Sequence, residues 1–243
     1  MIRLLLMVSG KRIEVRSQKP ALESINRGSG VYFLYSVFCL LLSTSAFAST
    51  ITGKVEVVGP YGIKPRNALE ERIKAERSLV VNKDSGVKNA VVLVRGLKGD
   101  NPLPKGAFVI NQKNKNFLPH VLTIPVGSTV LFKNSDPFVH RVISNSETKK
   151  LRMEFAYEGA TMDVTFDKPG TVELWCDDHK RMQAWILVLD TPFFAVTDEK
   201  GHFIIPNLPV GRYTLVVWHE VLGTQTQEIE VKEGEDERVD FSL

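Results

Sequence analysis

The stretch WCDDHKRM, residues 175–182, sets a cysteine three residues before a histidine and six before a methionine. Thiolate, imidazole and thioether share one trait: each gives a lone pair to a soft metal ion. A second histidine, His140, ends the upstream stretch FKNSDPFVH. Two imidazoles and a thiolate suit a trigonal plane, with a thioether as a weak axial contact. Thiolate favours Cu(I) and imidazole serves both copper states, so a site between their preferences rearranges little when one electron moves. His140, Cys176, His179 and Met182 are therefore the candidate metal ligands. Each also has a plainer reading: Cys176 as a small buried apolar residue, His179 as an exposed loop histidine, Met182 as a core methionine at a strand start, His140 as a turn cap.

The compartment bears on that thiol. Residues 31–48, VYFLYSVFCLLLSTSAFA, form an apolar run ending in Ala46-Phe47-Ala48. Arg3, Lys11, Arg12, Arg16, Lys19 and Arg27 precede it. A basic lead, an apolar core and a small-residue exit predict a signal peptide over 1–48, with a long basic region. The alternative is a retained anchor, since about 18 apolar residues just span a bilayer. The expected location is the bacterial periplasm or the exterior, with no membrane attachment after cleavage. No lipid-attachment motif surrounds Cys39, inside the apolar run.

Removing 1–48 takes six of the 31 basic and two of the 28 acidic residues, so the net charge moves from +3 to −1. Nucleic acid needs a basic face to neutralise phosphates, and the remainder has none. Cys176 is then the one remaining cysteine, which excludes a disulfide within the mature chain. A lone thiol in an oxidising compartment is a liability unless something occupies it.

The elements that must position these residues read as strands. ITGKVEVVG (51–59) alternates and is β-branched, and GVKNAVVLVRG (86–96) is a second strand. RNALEERIKAERSLV (66–80) has helix formers with little periodicity and predicts a short exposed helix. LKGDNPLPKG (97–106) is a Gly/Pro-rich connection. From 107 to 190 come AFVINQ, HVLTIPV, STVLFKN, FVHRVIS, MDVTF, TVELWC and AWILVLD, separated by turn residues. Short strands at such spacing predict a sandwich or barrel. Alternating strands resume from Ala195 to Leu243, with turns at Gly201 and Gly211.

Two resemblances follow. FLPHVLTIPVGSTVLFKNSDPFVHRV and KPGTVELWCDDHKRM (both within 107–190) resemble the cupredoxins, and the C-x₂-H-x₂-M loop resembles amicyanin in particular. That implies a Greek-key β-sandwich, one type 1 copper per chain, and His140, Cys176, His179 and Met182 as its ligands. Two departures stand out. Arg141 takes the place of the Asn that usually ties the two ligand loops together. Asp177, Asp178, Lys180 and Arg181 replace the prolines usual around the second histidine.

GKVEV and GVKNAVVLV, with TDEKGHFIIPNLPVGRYTLVV, IEV and VDFSL after residue 190, resemble the carboxypeptidase regulatory-like sandwich. This implies an all-β chain: residues 49–106 and 191–243 form a second sandwich, into which 107–190 is inserted. The alternative is two domains in series. FAVTDEKGHF and WHEVLGTQTQ resemble exported proteins that join the two modules, some labelled methylamine utilisation proteins.

The function these resemblances imply is one-electron transfer between redox partners such as a c-type cytochrome or a periplasmic dehydrogenase. No Ser/His/Asp set, phosphate loop or carboxylate pair is readable, and four ligands leave copper no open position for substrate, so a carrier is expected rather than an enzyme. The alternatives are a copper-binding or storage module without redox shuttling, and an adhesion protein with a degenerate cupredoxin. His120 in FLPH reads as structural, or as a fifth ligand or supporting group. His219 in WHE reads as packing, or as a contact to the metal site with Glu220 orienting its ring. His202 reads as a turn residue.

Overall fold

The computed structural model describes residues 5–8, 11–14, 49–58, 79–99 and 107–243. All regular structure there is β. The chain divides into two compact units, residues 1–44 and 45–243. In the first, β1 (Leu5–Val8) and β2 (Lys11–Glu14) pair antiparallel, Leu5 opposite Glu14 and Val8 opposite Lys11. The apolar run at 31–48 lies outside the described residues, as does the helix expected at 66–80 apart from Leu79 and Val80, which are irregular. Among the described residues no helix is long and apolar enough to cross a membrane.

The second unit opens with β3 (Ser49–Glu56) and β4 (Val91–Val94), whose sheet partners come much later in the chain. Then follow β5 (Phe108–Lys113), β6 (Asn116–Leu118), β7 (Val121–Pro125), β8 (Ser128–Asn134), β9 (His140–Ser144), β10 (Leu151–Phe155), β11 (Thr161–Phe166), β12 (Gly170–Cys176) and β13 (Gln183–Leu189). They form two sheets, ordered β10-β9-β12-β13-β7 and β11-β8-β5-β6. Between them lies one apolar cluster that includes Phe132, Phe155, Phe166, Leu174 and Ile186. Strand alternation builds it: Val130 and Phe132 point inward from β8, Val172 and Leu174 from β12. Each large apolar side chain so buried contributes about 1.5–3 kcal/mol.

The same alternation carries polar groups to the ends of these inward rows. On β8 the row runs Val130, Phe132, Asn134; on β12 it runs Val172, Leu174, Cys176; on β9 it starts at His140. β9 and β12 are neighbours, with Val142 opposite Cys176. The thiol and the His140 imidazole thus emerge at one end of the sandwich.

The remaining strands are β14 (Phe194–Val196), β15 (His202–Leu208), β16 (Gly211–His219), β17 (Gly223–Val231), β18 (Glu237–Arg238) and β19 (Phe241–Ser242). They recruit the two early strands into sheets ordered β14-β4-β16-β17 and β15-β3-β18, with β19 also on β3. A separate core fills this second sandwich, with Ile51, Val55, Val92, Phe203, Leu215 and Phe241 among its members. Two glycines fit tight places in it. A Cβ on Gly53 would lie 1.8 Å from the Val239 carbonyl oxygen and 2.7 Å from the Phe203 ring. Gly201 has a φ of +81°, which L side chains rarely adopt, and a Cβ there would meet the Val55 carbonyl oxygen at 2.4 Å. His202, read as a turn residue, is the first residue of β15, and its amide donates to Asp198.

A third apolar cluster joins the sandwiches: Val91 from β4 with Val121 and Leu187 from β7 and β13. Trp185 and Trp218 meet there edge-on, their ring centroids 5.6 Å apart.

His219 closes β16 and is 1% exposed. Its Nδ1 accepts from the amides of Val221 and Leu222, so the buried ring is neutral. Burial is the main cause that pushes its pKa from 6.5 down to about 4, against the attraction of Glu220. A depressed folded value means the neutral ring's stabilisation is complete above pH 6.5 and is lost as pH falls towards 4. The shift corresponds to on the order of 3 kcal/mol. His219→Gln is expected to remove a component of that order from the acid destabilisation in this window, read by chemical denaturation at each pH. Identical pH slopes for variant and wild type would contradict the assignment.

Candidate metal centre

Three side chains converge where β9 and β12 end. Cys176 Sγ lies 3.6 Å from His140 Nδ1 and 3.7 Å from His179 Nδ1, and the two Nδ1 atoms are 3.2 Å apart. His140 and Cys176 are buried, and His179 is half-buried. Among the described residues this is the group of histidine, cysteine and acidic side chains arranged to hold a metal ion. Met182 is 1% exposed and belongs to the same core cluster as Cys176. Its backbone closes the loop: its amide donates to the His179 carbonyl at 2.8 Å, and its carbonyl accepts from the Cys176 amide at 3.2 Å.

The tautomer of His140 is fixed from behind. Its Nε2–H donates to Asp136 Oδ2 at 2.9 Å, which leaves the Nδ1 lone pair facing the thiol. Asp136 is itself held at the β5–β6 turn. Asn114 and Lys115, both at positive φ, donate their amides to its two carboxylate oxygens at 2.6 and 3.0 Å. Burial opposes ionisation of Asp136, but those amides and the His140 ring together hold its carboxyl below the usual value.

Asn134 organises the turn that carries both residues. Its side-chain oxygen accepts from the Asp136 amide at 2.9 Å. Its amide nitrogen donates to the carbonyls of Phe138 and Tyr157 at 3.0 and 3.2 Å. Phe138 then packs on both imidazoles, with ring centroids 5.2 Å from His140 and 5.4 Å from His179. Lys115 Nζ sits over the Phe138 ring, 5.2 Å from its centroid. Burial, then the neighbouring His140, depress the pKa of His179, so this ring favours the neutral, lone-pair form.

Both departures from the cupredoxin pattern acquire a structural sense. Arg141 bridges Asp178 at 2.5 Å and Glu154 at 2.9 Å, while its carbonyl accepts from the Asp177 amide at 2.9 Å. Arg152 pairs with Asp177 at 3.0 Å. β9, β10 and the 177–182 loop are thus tied by ion pairs.

The donor set fits a soft metal. One thiol and two imidazoles bring a sulfur and two nitrogens to one point, and a thioether is buried in the same cluster. His120 is elsewhere. Its ring contacts the Gln183 carbonyl and Glu220, not the thiol. The expectation that Glu220 orients His219 is corrected: its carboxylate receives the His120 ring and the Trp185 indole N–H. Adjacent strand-end residues face opposite ways, so Glu220 turns to the first sandwich while His219 turns inward. Sequence reasoning missed Asn134 and Asp136. Their signal was the N-x-D spacing in KNSDPF, an Asx-turn pattern ahead of His140.

Residues 183–243 match the family model of the carboxypeptidase regulatory-like domain. The match begins at the first residue of β13, a strand paired with β12 and β7. No curated protein sequence matches the chain. Among solved structures, amicyanin from Paracoccus versutus is similar at 20% identity, covering 40% of this chain and 97% of its own, with a TM-score of 0.32. A purple cupredoxin from Nitrosopumilus maritimus is 21% identical over 34% of this chain and 99% of its own, TM-score 0.31. A copper-containing nitrite reductase from Thermus scotoductus is 30% identical over 39% of this chain but only 24% of its own, TM-score 0.31.

Asp136→Asn, which removes the charge behind His140, is expected to weaken Cu(I) binding by roughly 10–100-fold. A competition titration with a Cu(I) chelator measures it, and unchanged affinity would contradict the orienting role.

Proposed function

We propose that this chain is an exported type 1 copper protein that carries single electrons between redox proteins. The observation that supports it is the convergence of His140 Nδ1, Cys176 Sγ and His179 Nδ1 at one end of a packed sandwich. Copper bound there supplies a one-electron couple.

The residues around the site do the rest. Asp136 retains the proton on His140 Nε2, so Nδ1 is free to ligate. Cys176 and Met182 are buried in the core, which excludes water and limits how far the donors move when the charge changes. Met182, buried in the same cluster, would supply a fourth and weaker donor. Copper held by all four would have no position left for a substrate, which favours a carrier over an enzyme.

His179 is the most exposed of the four candidate ligands and is the proposed route for the electron. Beside it Asp177 and Asp178 are engaged by Arg152 and Arg141, whereas Lys180 and Arg181 are exposed without an ion pair among the described residues. That leaves a positive face for an acidic partner, such as a c-type cytochrome or a periplasmic dehydrogenase.

Voltammetry of the copper-loaded protein tests the carrier reading. One reversible one-electron wave is expected, and tight copper binding without such a wave would point to storage instead. Lys180→Glu with Arg181→Glu is expected to slow electron transfer to an acidic partner roughly tenfold at low ionic strength, with the wave preserved. An unchanged rate would contradict docking at this face.

A further inference from the structure

The junction between the sandwiches holds a polar group the metal centre does not use directly. Glu220 lies in the turn between β16 and β17, and its side chain is 3% exposed. A carboxylate so buried is costly unless donors satisfy it. Both of its donors come from the first sandwich: the His120 ring through Nε2–H, and the Trp185 indole N–H.

His120 has a second grip. Its Nδ1 lies 3.1 Å from the Gln183 carbonyl, and its own carbonyl accepts from the Trp185 amide at 2.9 Å. Each ring nitrogen of His120 thus faces an acceptor. His120 therefore brackets Gln183 and Trp185 from side chain and backbone together. Gln183 is the residue after Met182, and Met182 closes the ligand loop through its bonds to His179 and Cys176. A chain of contacts thus runs from the second sandwich to the loop: Glu220, the His120 ring, the Gln183 carbonyl, Met182.

We propose that Glu220 is a positioning residue for the ligand loop, acting from the second sandwich through His120 on the peptide that follows Met182. The second sandwich is then a brace for the site rather than a separate module on the same chain. The inference rests on the metal-centre reading in naming what is held, but the brace itself is tested without metal.

The experiment is amide hydrogen exchange on the metal-free protein, wild type against Glu220→Gln, which keeps the shape and loses the charge. The amides of Cys176, Met182 and Trp185 are expected to exchange roughly tenfold faster, while those of β8 and β15 keep their wild-type rates. His120→Gln, which leaves the β16–β17 turn intact, is expected to give the same localised pattern and serves if the first variant does not fold. A uniform acceleration across both sandwiches would overturn the proposal, because it would report lost stability alone. So would acceleration confined to Trp185, with Cys176 and Met182 unchanged. Copper loading gives an independent readout: a shifted visible spectrum is expected in Glu220→Gln, and an identical spectrum would overturn the link to the ligand loop. Should the wild type bind no copper, the metal reading fails while the exchange pattern still decides the brace.

Discussion

One carboxylate organises the end of the first sandwich. Asp136 accepts from the amides of Asn114 and Lys115 and from Nε2–H of His140. A buried carboxylate cannot stay charged without such donors, and each donor depends on it in turn. The two positive-φ residues gain a partner for amides that would otherwise point at nothing. The imidazole gains a fixed tautomer and a fixed angle. Asn134, two residues earlier, holds the Asp136 amide and the Phe138 carbonyl and so fixes the turn that carries the acid. The convergence of two nitrogens and a sulfur follows from this arrangement and from the register that sets Val142 opposite Cys176.

The ligand loop is held differently on each side. Towards β9 and β10 it is tied by exposed ion pairs, Arg141 with Asp178 and Arg152 with Asp177. Such pairs contribute little singly, and they weaken with salt. Towards β13 it runs into a junction where Trp185 both packs on the cluster of Val91, Val121 and Leu187 and donates to Glu220. The loop therefore has one side held by weak exposed pairs and one that leads into buried contacts.

Much of this was legible in the sequence because it is local. Period-2 alternation in STVLFKN and TVELWC marked the strands and placed Cys176 at the end of an inward row. The spacing from Cys176 to Met182 is that of one loop, so His179 and Met182 came with it. β10 is absent from the strands read in the sequence although Leu151, Met153 and Phe155 alternate; the charged Arg152 and Glu154 between them are exposed. What could not be read is what depends on distant partners. Asp136 meets amides 21 and 22 residues away, and Glu220 meets a histidine 100 residues away. Local reasoning joined Glu220 to His219, its neighbour, whereas the geometry of a strand end turned the two apart. Arg141 was visible as a departure from the resemblance, but its ion pair with Asp178 needed the fold to bring residues 141 and 178 together.

The central claim is that Cys176 is a metal-bound thiolate between two imidazoles. The visible absorption spectrum of the protein loaded with Cu(II), beside Cys176→Ser, tests it most directly. An intense thiolate-to-copper band in the orange-to-red region is expected from the wild type and not from the variant. A spectrum without that band, with the thiol open to modifying reagents in the presence of copper, would contradict it.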